Sequence, residues 1–230
     1  MRIVLKTLAA ISLSLFTAAV IASPASPQNG KDYRTLDKVQ QTESNKKVEV
    51  IEFFSYACPH CGAFEPPLAE WVKKQGDNIV FKRVPVGFRP QWVPLQQLYY
   101  ALEAMGKADE LSKKIFNAIH VDRQTLDNEA AIGEFVAKQG IDKKKFLDTY
   151  NSFSVQTKVR RTASLLEAYK VDGVPMIAID GRYKTAPSII GASIGNQPEH
   201  VLGAATLQVM DALVAKAYAE RKPQPAASAK

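Results

Sequence analysis

With 230 residues, 46% of them hydrophobic and 23% charged, the chain reads as globular, with room for one good core or for a core carrying an inserted subdomain. The formal net charge of +7 would allow a nucleic-acid partner. Against that, the lysines are scattered and Lys143-Lys144-Lys145, the only triple, suits a solvated helix face, so no nucleic acid is expected to bind.

The N-terminus carries an address. Arg2 and Lys6 give a positive start, Leu8 to Ile21 is an uncharged apolar run, and Val20-Ile21-Ala22 offers residues suited to cleavage, so residues 1–22 are expected to be a secretory signal peptide. The run is about 14 residues, short of the roughly 20 that span a bilayer. Cleavage after Ala25 is the other possibility. No later segment is expected to span a membrane, and an exported protein works where disulfides form and persist.

Residues 23–45 form an N-terminal leader, Pro/Ser/Asn-rich and without expected order from Ser23 to Gly30. Residues 46–93 read as the first part of an α/β domain. Val48 to Phe54 is β-branched and aromatic, a central strand that runs straight into Cys58-Pro59-His60-Cys61. Beyond it Phe64, Leu68, Trp71 and Val72 recur at helical spacing, with Pro66-Pro67 expected to kink or interrupt the helix. Ile79 to Val84 is a second strand, and two strands around a helix make a right-handed βαβ unit.

Residues 94–170 carry helix signals only, roughly seventy-five residues from Pro94 to Tyr169, and are expected to be a helical insertion. The α/β domain resumes over 171–220. Pro175 to Ile179 is a strand, Asp180-Gly181 a hairpin turn, Arg182 to Lys184 its antiparallel return, and Pro198 to Ala219 a closing helix. Residues 221–230 are a Pro/Ala/Ser/Lys tail expected to be disordered.

The only two cysteines are spaced Cys-x-x-Cys. A structural zinc site needs a second ligand pair, and His120 and His200 are far away in sequence without ligand spacing, so no metal is expected. Haem attachment needs His after the second cysteine, where Gly62 stands. A purely structural disulfide over so short a loop gains least from chain entropy. Redox chemistry remains. At a helix start Cys58 meets unpaired backbone N–H groups and the positive end of the macrodipole, which stabilise a thiolate. Cys61 lies on the same helix face, Pro59 costs no hydrogen bond, and His60 adds positive charge beside the sulfur. A stabilised thiolate leaves easily, so the Cys58–Cys61 disulfide is expected to be a strong oxidant.

Glu52 to Cys61 (EFFSYACPHC) together with Gly173-Val174-Pro175 resembles the DsbA family of bacterial periplasmic disulfide oxidants, and the similarity covers nearly the whole chain after the signal. The resemblance implies an α/β, thioredoxin-like fold with an inserted all-helical subdomain. It implies that Cys58 is the exposed nucleophile and Cys61 the buried resolving partner. Val174-Pro175 would be a loop with a cis proline facing the motif, where the Val174 backbone pairs with substrate. Glu52 would be a buried proton acceptor for Cys61, with Lys82 or Arg83 as its basic neighbour. The implied partners are unfolded exported proteins with free cysteines and a DsbB-like membrane quinone reductase that restores the disulfide. No cofactor is implied, and the chain is expected to act as a monomer in the periplasm. Two rivals are a disulfide isomerase or reductase, disfavoured by the Pro-His dipeptide and by the lack of room for an N-terminal dimerisation domain, and a non-catalytic thiol metal carrier or chaperone.

Overall fold

A computed structural model describes residues 26–44 and 46–221. The signal segment, its cleavage positions and the tail from Pro223 lie outside the described residues. The sheet is built around β2 (Val48–Phe54), whose seven residues are all buried because both of its faces are covered. β3 (Ile79–Pro85) pairs with β2 in parallel, and β4 (Met176–Ile179) pairs with its other edge antiparallel. β5 (Tyr183–Thr185) and the short β1 (Arg34–Thr35) complete the order β1-β5-β4-β2-β3. The turn into β5 uses Asp180 and Gly181, both at positive φ, and a Cβ on Gly181 would stand 2.2 Å from the Gln40 carbonyl oxygen. Only glycine fits there.

The crossover from β2 to β3 is α1 (Pro59–Gln75). The helical insertion follows as α2 (Val93–Ala104), α3 (Ala108–His120), α4 (Glu129–Lys138), α5 (Lys143–Tyr150) and α6 (Phe153–Ala168). Three side-chain caps divide its second half: Asn128, Asp142 and Ser152 each accept from a backbone N–H three residues on, starting α4, α5 and α6. α7 (Pro187–Ile194) and α8 (Glu199–Glu220) close the chain.

Among the described residues the buried apolar side chains form three clusters. One lies between α1, α8 and the sheet (Val50, Phe64, Leu68, Ile177, Val209), and one on the opposite sheet face (Ile51, Phe53, Val84, Met176, Ala178). The third fills the helical insertion, and it takes in Phe54, Tyr56, Cys58 and Cys61. The cysteine pair therefore sits in the seam between the α/β domain and the insertion.

Several sequence expectations need correction. α1 runs without a break through Pro66 and Pro67, because buried Phe64, Leu68 and Trp71 hold it on both sides and packing outweighs the lost hydrogen bonds. The leader is ordered from Gln28, whose N–H donates to Asp32 while Asn29 accepts from Thr35. Order also extends to Arg221, which donates to the Lys47 carbonyl at 2.6 Å. α7 was not foreseen. α8, at 22 residues, is long and apolar enough to cross a membrane by length and composition. Its apolar face is instead buried against α1, α7 and the sheet.

Candidate active site

β2 ends at Phe54 and the chain turns at once. The Cys58 N–H donates to the Ser55 carbonyl at 3.0 Å, closing a four-residue turn, and Cys58 becomes the N-cap of α1 with Pro59 at the first helical position. Cys61, one turn into the helix, faces the same way. Among the described residues both cysteines are free thiols.

The two sulfurs differ in access and acidity. Cys58 keeps 5% of its surface and Cys61 none. Cys58 is thus less exposed than expected, because the Val174 carbonyl lies over it, 3.4 Å from Sγ. It is still the only one of the pair that a thiol can reach. A hydrogen bond from Cys61, reinforced by the backbone N–H groups of Cys61 and His60, outweighs burial and brings the Cys58 thiol from 9.0 down to about 6. Burial first, and then the adjacent Cys58 sulfur, push the Cys61 thiol well above its ordinary value. One helical turn therefore holds a strong and a weak acid.

Val174-Pro175 has a cis peptide bond. Its loop borders a groove of about 270 Å³ lined by His60, Phe64, Pro175, Ser188, Glu199 and Leu202. His60 is exposed, with Nδ1 2.5 Å from Glu199 Oε1 at the start of α8.

Behind the motif lies a buried charge cluster. Arg83 Nε donates to Glu52 Oε2 at 2.9 Å and its Nη2 to Glu65 Oε2 at 2.7 Å. Register chooses between the two basic candidates: Arg83 pairs with Glu52 across the parallel ladder and shares its face, whereas Lys82 falls opposite Ile51 and meets Glu49 on the other face. Two buried carboxylates share one guanidinium, with the exposed Asp109 3.6 Å from its Nη1. Burial raises the Glu52 carboxyl from 4.5 to about 7, against the opposing pull of Arg83, while pairing with both acids outweighs burial and holds the Arg83 proton more firmly. Glu52 Oε1 has no hydrogen-bond partner among the described residues.

A family model described as a DSBA-like thioredoxin domain matches residues 49–206. The chain belongs to the DsbA family. It is 47% identical to the thiol:disulfide interchange protein DsbA of Burkholderia cepacia over 91% of this chain and 95% of that one. It is 42% identical to the Bordetella parapertussis protein of the same name, over 81% and 88%. The crystal structure of Pseudomonas aeruginosa DsbA superposes with a TM-score of 0.75 at 34% identity, covering 83% of this chain and 94% of that one. Oxidoreductase DsbA from Xylella fastidiosa superposes with a TM-score of 0.73 at 27% identity, over 84% and 98%. DsbA membership makes the chain a thiol:disulfide oxidoreductase of thioredoxin-like fold with a helical insertion.

All the residues singled out from the sequence, Glu52, Cys58, Pro59, His60, Cys61, Val174 and Pro175, meet around the motif. Sequence reading missed Glu65, which follows Cys61 by one helical turn and points inward, a position its spacing could have flagged. It also missed Glu199, and it set His120 aside as distant. His120 in fact packs against α1: a Cβ on Gly62 would come within 3.2 Å of its ring.

Proposed function

We propose that the protein is a periplasmic protein-disulfide oxidase, with Cys58 as the attacked sulfur and Cys61 as the leaving and resolving one. The observation that carries this reading is the inequality of the two thiols: a reduced state stabilised as a Cys58 thiolate makes the disulfide easy to reduce, hence oxidising.

A substrate thiolate attacks Cys58 Sγ, the Cys58–Cys61 bond breaks, and Cys61 departs as a thiolate. Held far above its ordinary pKa, Cys61 takes up a proton, and Glu52, poised near 7, supplies it. A second substrate thiolate then attacks the substrate sulfur of the mixed disulfide and releases Cys58 as a thiolate. Two electrons pass from substrate to enzyme, and the substrate gains a disulfide. In reoxidation by a DsbB-like membrane quinone reductase the steps reverse, and Glu52 accepts the Cys61 proton. Substrate peptide lies in the groove and pairs with the Val174 backbone in strand fashion. His60 and Pro59 shape the helix start, and the protein acts as a monomer on unfolded exported chains, without a bound cofactor.

The equilibrium constant of the purified Cys58/Cys61 pair with glutathione tests the direction of the chemistry. A pair that stays mostly reduced under a glutathione buffer of intermediate potential supports the oxidase; one that stays oxidised makes the protein a reductant.

A further inference from the structure

Cys58 is delivered by the turn Ser55 to Cys58, and the middle peptide of that turn, between Tyr56 and Ala57, is gripped at both ends. Its carbonyl oxygen lies 2.8 Å from His120 Nε2, and its N–H donates to Ser55 Oγ at 3.2 Å. A carbonyl can only accept, so His120 Nε2 carries the proton and donates it. The ring is itself fixed. It stacks on Phe116, with centroids 6.1 Å apart and an interplanar angle of 23°. Both rings also lie close to Gly62, a helical residue whose missing side chain is accounted for by this approach, since a Cβ there would come within 3.2 Å of His120 and 3.3 Å of Phe116.

We infer that His120 is a positioning residue for the disulfide exchange: from the end of α3 it clamps the Tyr56–Ala57 peptide and so sets the angle at which Cys58 enters α1. The middle peptide of a β-turn is the part free to rotate between arrangements that redirect its C=O and N–H. Ala57, lacking glycine's tolerance of positive φ, disfavours the fully flipped form but leaves the plane free to tilt. The two hydrogen bonds remove that freedom. A fixed peptide keeps Cys58 Sγ aligned with the N–H groups of His60 and Cys61. Through this contact the helical insertion, which holds neither cysteine, acts on the redox pair. The inference rests on the assignment of Cys58 as the reactive sulfur.

The test compares wild type with His120→Phe, which keeps a stacking ring and loses the donor, with His120→Gln, which returns an N–H at the Nε2 position, and with Ser55→Ala. The readouts are the glutathione equilibrium constant and the ultraviolet titration of the Cys58 thiolate. His120→Phe is expected to make the pair about fivefold less oxidising, the worth of one hydrogen bond, and to raise the thiolate titration. His120→Gln should recover most of that loss, and Ser55→Ala should move in the same direction as Phe. A wild-type constant in His120→Phe overturns the clamp, as does a Gln variant no better than Phe. If His120→Phe does not fold, an unmoved constant in Ser55→Ala overturns it. A wild type without an acidic Cys58 thiolate removes the Cys58 assignment and the clamp with it, whereas an acidic thiolate indifferent to all three variants removes the clamp alone.

Discussion

The front and the back of the cysteine motif are one helical turn apart and opposite in chemistry. In front, Cys58 meets backbone N–H groups at the start of α1, beside a groove lined by its neighbours His60, Val174 and Pro175, and charge on its sulfur is favoured. At the back, Cys61 has no exposed surface and faces a region where Glu52, Glu65 and Arg83 already hold charge out of water. The difference shows that acidity here is set by the balance of donors against burial: at Cys58 the donors outweigh burial, whereas at Cys61 burial is the largest influence and raises the thiol.

The largest effect comes from erasing the front. Cys58→Ser should abolish thiol exchange, whereas Cys61→Ala should leave a reactive thiol that accumulates mixed disulfides on non-reducing gels; faster iodoacetamide labelling of Cys61 than of Cys58 in the reduced protein would reverse the assignment. Next comes the back. Arg83→Met leaves two buried carboxylates without their cation and should cost about 3–5 kcal/mol of stability in urea unfolding. The Glu52 carboxyl, raised in the folded state, favours folding when protonated, so that deficit should shrink on acidification and grow as pH rises; a pH-independent deficit would mean that only packing was lost. Glu52→Gln removes the proposed proton acceptor and keeps the shape. It should slow reoxidation about a hundredfold and erase an inflection near pH 7 in the rate profile, and a profile that keeps the inflection would move the role elsewhere.

How much of this was readable in advance follows the range of the interactions. β2 runs from Val48 to Phe54 as its β-branched and aromatic run indicated, and α8 begins within a residue of its expected start, since both depend on local pattern. The Cys58-to-Cys61 spacing carried the chemistry because the helix start is itself local. Arg83 over Lys82 needed the register of β3 against β2, which a strand pattern alone does not supply. His120 lies 64 residues from Tyr56 and Glu199 lies 139 from His60, so only the packed chain brings them to the motif. The break expected at Pro66-Pro67 failed because tertiary burial of Phe64, Leu68 and Trp71 overrides a local penalty.

The smallest expected effect bears most directly on the contrast between front and back. The Cys58 thiol falls from 9.0 to about 6 on folding, so it is a depressed acid: the stability it adds is fully present above 9.0 and is lost as pH falls through about 6. The disulfide, closing so short a loop, constrains the unfolded chain least. After allowance for solvent screening on the open side, thiolate stabilisation amounts to about 1 kcal/mol at neutral pH and grows toward the upper limit. Urea unfolding of the reduced and oxidised forms across this range decides the matter. The reduced form should be the more stable at pH 7, by a margin that widens with rising pH and closes on acidification. An oxidised form that is the more stable at neutral pH and above would contradict the account.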